Sequence, residues 1–263
     1  MRSMLGQCGV DAGSMLNRFL GPGEGIRVTQ YGSPEMPPTN FKRAVAALKR
    51  WHTLESLVRL EYPAHGVLGL LPGFDPRTHG NLDDDQTHFP ENGWTDVASG
   101  SHAFFHRHEA PPVQAGHFHV FQGELHLAAL AIDWSGLPDE VLTLNRWVSG
   151  EHWQPAAATW AAFRRWGPKT RKALRRNADR PGYKDIKPRE DAELLGGWVA
   201  ALIPSLEPEL RACLRARDQQ LSEAIDRKPG VNVLEDRSLE ILSRCKIQWS
   251  ERLAWMHPLK DRD

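Results

Sequence analysis

The sequence predicts an α+β fold, with a small antiparallel sheet over about residues 102–148 packed by N- and C-terminal helices. Three observations predict it. Residues 40–61 carry apolar side chains at helical spacing. Residues 102–148 break into short β-like runs separated by turn residues, the pattern of a meander. Beyond residue 150 the apolar spacing is helical again. The chain has 263 residues, 40% hydrophobic and 25% charged, which is enough to bury a core and ordinary for a globular protein.

Residues 1–38, with GPGEG at 21–25 and PEMPP at 34–38, read as an irregular leader, and 39–263 as a single α+β domain. The glycines of the leader match neither dinucleotide-binding nor P-loop spacing. In 40–61 the helix opens on Asn40 as N-cap, carries Phe41, Ala44, Val45, Leu48, Leu54, Leu57 and Val58 as its stripe, and ends before Pro63. Residues 64–100 read as loop. Their acidic run Asp83-Asp84-Asp85 lacks the EF-hand pattern and reads as a solvated surface.

The sheet follows. Side chains two apart on a strand share a face. An extended 102–108 therefore puts His102, Phe104, His106 and His108 on one face and Ala103, Phe105 and Arg107 on the other. Pro111-Pro112 marks the connection, since a paired strand interior excludes proline. The next strand sets His117, His119 and Phe121 against Phe118 and Val120. Strict alternation over 124–133 puts Glu124 and His126 on the face of Ala128 and Leu130. A fourth strand covers 140–148, with Asn145 and Trp147 opposite Arg146.

Helices complete the reading: AAATWAAFRRW, then 190–228 broken at Gly196-Gly197 and between Pro204 and Pro208, then 235–257 with Leu239, Leu242, Ile247, Leu253 and Trp255. The basic stretch Lys169, Arg171, Lys172, Arg175, Arg176 and Arg180 has no interleaved aromatics and reads as a solvated helix face.

Composition narrows the function classes. Lys+Arg and Asp+Glu balance at 33 each, so no nucleic-acid partner is expected. No apolar run is long enough to span a bilayer, so no membrane partner is expected either. Cys8, Cys213 and Cys245 are odd in number and far apart, which argues against a disulfide framework and for a reducing compartment. The N-terminal residues, interrupted by Gly and Asp, make a poor signal peptide, and the cytoplasm is the expected location.

Five of the twelve histidines fall in 101–121, including two His-x-His pairs, His106 with His108 and His117 with His119. Imidazole is a ligand for transition metals, and a catalytic site needs about three protein ligands and an open position. If the two strand faces coincide, His106, His108, His117 and His119 are the expected ligands of a divalent transition metal such as Zn, Fe or Mn. A one-residue slip of register would separate them. Glu124 is the expected carboxylate ligand or base, Arg146 a partner for an anionic substrate group, and Asn145 an orienting residue. Neither the HExxH pattern nor a Gly-x-Ser-x-Gly elbow is present. The expectation is a metal-dependent enzyme acting on a small molecule. The alternative is a non-enzymatic module that binds a metal or a partner.

Three resemblances bear on this. His117-Phe-His119 followed by Glu124 is similar to the first cupin motif, without its flanking glycines and without a second motif carrying its own His. The alternating histidines resemble those of the histidine-triad nucleotide hydrolases, but Phe121 stands where the third His belongs. HAFFHRH, GHFHVF and NRWVSGEHW resemble segments of a family of uncharacterised bacterial proteins, from the first long helix to Trp153. That resemblance implies one shared site, with Asn145, Arg146 and Trp147 near the histidine face, and implies no reaction.

Overall fold

Six strands, β1 (His88–Asp96), β2 (Ser101–Arg107), β3 (Gln114–Gln122), β4 (Leu125–Asp133), β5 (Pro138–Leu144) and β6 (Ile241–Lys246), form one sheet in the order β1-β2-β3-β4-β5-β6. Every neighbouring pair is antiparallel. The structure, a computed structural model, describes residues 40–71, 88–96, 98–107, 114–150, 152–167 and 188–256. The leader 1–38, the acidic run Asp83-Asp84-Asp85, His108 and the basic stretch 169–180 lie outside them. Six helices are described: α1 (Phe41–Glu61), α2 (Arg146–Ser149), α3 (Ala156–Phe163), α4 (Pro188–Ser205), α5 (Glu207–Arg227) and α6 (Trp249–Ala254). The class is α+β, as the sequence predicts, but the sheet is larger than 102–148 because β1 and β6 extend it at both edges.

Local chemistry accounts for the elements. The Oδ1 of Asn40 accepts the Arg43 backbone N–H at 3.0 Å and caps α1. The buried side of α1 is Ala44, Leu48, Trp51, Glu55 and Val58, so the stripe runs through Trp51 and Glu55 and leaves Leu57 exposed. Glu55 tolerates burial because the Trp198 indole N–H donates to its Oε2 at 2.6 Å and Arg59 Nε to its Oε1 at 2.6 Å. Helix α4 continues through Gly196-Gly197 and carries Pro204 in its last turn, and the break falls at Leu206. The apolar spacing of 235–257 predicts a helix, yet Ile241–Lys246 is a strand and only Trp249–Ala254 is helical. Six residues are too few for the apolar spacing to tell a strand from a helix, and the open edge of β5 decides between them. Strand β5 stops at Leu144, where Asn145 turns the chain into α2.

The core lies between one face of the sheet and the helices. Phe105, Phe118, Val120 and Leu130 meet Leu48, Trp51, Trp198, Leu202, Leu210 and Leu214 in one cluster. Helix α1 runs along α4, α3 lies on β4 and α5, and α5 lies on β5 and β6. Trp51 stacks on Trp249 at 4.5 Å and meets Trp198 edge-on at 5.9 Å. Each large apolar side chain fully buried here contributes about 1.5–3 kcal/mol. The opposite face of the sheet carries a smaller cluster, Ala129, Ala131, Leu142 and Leu144, and beside it the histidines.

Candidate functional site

The register of β2 and β3 brings the two histidine faces together. His102 pairs with Phe121, Phe104 with His119, and His106 with His117. The intervening Ala103, Phe105, Phe118 and Val120 point into the core. The burial of Phe105 and Phe118, both 0% exposed, therefore sets which way the histidines face. Strand β1 adds His88 opposite His106, with ring centroids 5.1 Å apart.

Strand β4 adds His126 through a bulge. Val120 pairs with Ala128, but the next residue, Phe121, pairs with His126, so Leu127 is the extra residue. The strict alternation expected from the sequence puts His126 on the face of Ala128 and Leu130. The bulge moves it to the histidine face, where its ring meets Phe121 at 4.9 Å and His119 at 5.2 Å. Leu127 goes into the core instead. One unpaired residue thus recruits a histidine that periodicity assigned elsewhere. His88 was missed for another reason: Pro90 and Gly93 hide a bulged edge strand in what reads as loop.

The result is a bed of rings. His106 stacks on His117 at 5.4 Å, and Phe104 stacks on His119 at 4.8 Å and on Phe121 at 5.6 Å. The Nε2 atoms of His117 and His119 face each other at 2.7 Å. The Nδ1 of His119 faces the Nε2 of His126 at 3.1 Å. His117, His119 and His126 are buried, while His88 is exposed at the edge and His102, Phe104, His106 and Phe121 are half-buried. Burial, assisted by the nearby positive charge of Arg217, pulls the His126 imidazole down to about 3, so it stays neutral. Burial also lowers His88 and His102. Thr95 Oγ1 stands 2.7 Å from His102 Nδ1 and ties that ring to β1.

The structure brings His106, His117 and His119 together and does not add Glu124, Asn145 or Arg146 to them; His108 lies outside the described residues. Glu124 sits in the β3–β4 turn, exposed, with its Oε2 2.7 Å from His152 Nε2. Asn145 is fully buried; its Oδ1 accepts the Arg146 N–H, and its Nδ2 donates to the carbonyls of Val233 and Leu239. Arg146 pairs with Glu235 at 2.7 Å. Trp147 donates to the Leu239 carbonyl at 3.1 Å. These residues join β5 to the segment leading into β6. Among the described residues, no three His, Cys, Asp or Glu side chains are already arranged around one metal position. Among the described residues, no helix is long and apolar enough to cross a membrane.

A family model described as "Domain of unknown function (DUF6969)" matches residues 77–179 and 182–247, more than half of the chain. No curated protein and no solved structure matches it.

Proposed function

This chain belongs to the family of that domain of unknown function, DUF6969, and we propose that its histidine face is the site of a metal-dependent enzyme acting on a small molecule. One observation carries the reading: the facing Nε2 atoms of His117 and His119, 2.7 Å apart. Two imidazole nitrogens about 2.1 Å from one ion stand about 3 Å apart at a right angle and about 3.4 Å apart at the tetrahedral angle usual for zinc, so the two rings, now at hydrogen-bond distance, would open to take an ion between them. His117 and His119 would hold a divalent ion, Zn, Fe or Mn, with His106, stacked against His117, turning to supply the third nitrogen. His108, two residues beyond His106, is the fourth candidate. A divalent ion in this position supplies Lewis acidity.

The protein's own residues do the rest. With an ion bound, His126 would accept the Nδ1–H of His119 across their 3.1 Å contact, which would set the tautomer that turns the His119 Nε2 lone pair toward the ion. Because His126 remains neutral, it can keep that acceptor role through the neutral pH range. The half-buried rings of Phe104, Phe121 and His102 flank the pair and offer faces on which a flat substrate can lie. Glu124, Asn145 and Arg146 stay outside the proposal, since their polar groups are engaged elsewhere.

A second reading has its own observation. Without an ion, His117, His119 and His126 form a chain of two hydrogen bonds between three imidazoles, which could pass a proton by exchange of tautomers. Metal content by plasma mass spectrometry separates the two. The purified, untagged protein, reconstituted in turn with Zn, Fe and Mn, is expected to retain about one equivalent of one of them, as a single site requires. The His117→Ala/His119→Ala variant is expected to retain none. A wild-type protein that retains no metal after all three treatments overturns the metal reading and leaves the proton chain.

A further inference from the structure

On the helical side of the molecule a cleft of about 410 Å³ opens where three segments meet. They are the start of α1, the end of α3 and the α4–α5 joint. Its size is within the range of small-molecule sites, about 300–1,000 Å³. The joint lies where α4, with Pro204 in its last turn, stops at Ser205 and Leu206 interrupts the helical run before Glu207 begins α5. The wall is apolar: Trp160 and Phe163 stack at 5.2 Å with their planes 22° apart, and Ile203 lies beside them.

The rim is basic. Arg43 and Arg164 both line the cleft and both are exposed. Neither guanidinium makes a hydrogen bond or ion pair with any described residue, whereas Arg59, Arg146, Arg217, Arg244 and Arg252 are each paired with a carboxylate. The cleft's own carboxylate, Glu207, is buried, so against its single negative charge the two exposed arginines give the rim an excess of positive charge. The amino end of α1 adds the positive end of its dipole on the same side.

We propose that this cleft binds an organic phosphate with a flat apolar body. The body lies against the Trp160–Phe163 wall, and the phosphate sits between Arg43 and Arg164. Guanidinium groups suit this because their planar N–H fork matches phosphate oxygens two at a time. The apolar wall distinguishes such a ligand from inorganic phosphate. The site is separate from the histidine face, which lies across the sheet.

The test is isothermal titration of the full chain with 1-naphthyl phosphate, and separately with inorganic phosphate. Wild type is expected to bind the naphthyl ester. The Arg43→Gln/Arg164→Gln variant, altered only at exposed side chains, is expected to bind it at least about tenfold more weakly, the loss of charge-assisted contacts. The His117→Ala/His119→Ala variant is expected to bind it as wild type does. No binding by wild type at millimolar ligand, unchanged binding by the arginine variant, or equal binding of inorganic phosphate would each overturn the proposal. Circular dichroism of the arginine variant checks that its fold is intact.

Discussion

Asn145 uses every polar atom of its side chain, and all three hydrogen bonds are to backbone. It turns the chain from β5 into α2 and fastens that turn to the Val233 and Leu239 carbonyls, 88 and 94 residues away. This is why an asparagine that looks like a substrate ligand in sequence acts as a structural clamp. Replacing it with Ala removes the cap and leaves the Val233 carbonyl without that donor; Leu239 keeps the Trp147 indole. The Asn145→Ala variant should lose about 2–4 kcal/mol of unfolding free energy in urea. Its metal content should match wild type, whereas a role in holding a metal ligand would lower it. His126 teaches the converse. It lies in a strand that reads as ordinary apolar sheet, yet it touches His119 because of one bulged residue.

The β2–β3 hairpin is the element on which the candidate site depends, and its close approach is permitted by Gly116. That residue has φ of +155°, and a Cβ there would stand 2.3 Å from the backbone oxygen of His106. Strand β2 would have to move away beside the His106–His117 pair. Gly116→Ala should therefore cost about 2–4 kcal/mol. It should also speed amide hydrogen exchange in both strands and lower metal retention. Unchanged exchange at residues 104–107 would show that the hairpin absorbs the methyl group and that the register does not depend on it. Other elements depended less on such local detail. Helix α1 was legible through its cap, its stripe and Pro63, although its buried side is rotated to include Trp51 and Glu55. Strands β1 and β6 were not legible. The first is interrupted by Pro90 and Gly93, and the second is too short for its spacing to tell strand from helix.

At the scale of the whole molecule, the C-terminal segment is tied into the core by a charge pair. Arg252 on α6 donates through Nε to Glu209 on α5 at 2.9 Å and makes a second contact through Nη2; both side chains are almost fully buried. The Arg252 guanidinium also lies 4.0 Å over the Trp255 ring, and its Nη1 has no hydrogen-bond partner. Removing one partner leaves a buried charge uncompensated, so Glu209→Gln should cost about 3–5 kcal/mol. The Glu209→Leu/Arg252→Met double variant should recover most of that loss, because an apolar pair removes both desolvation penalties. A double variant as unstable as the single one would mean that the pair specifies the position of α6 through its hydrogen bonds.

By itself the sequence determined the α+β class, the α1 helix, the alternation of β2 and β3 and the two histidine rows, because these follow from periodicity and capping within a few residues. Only the tertiary structure decided that the rows coincide, that a bulge brings in His126, that β1 and β6 extend the sheet, and that Glu124, Asn145 and Arg146 serve other partners. Each of these depends on which strand lies beside which, and that is settled by burying Phe105, Phe118 and their neighbours against helices that lie more than forty residues away along the chain.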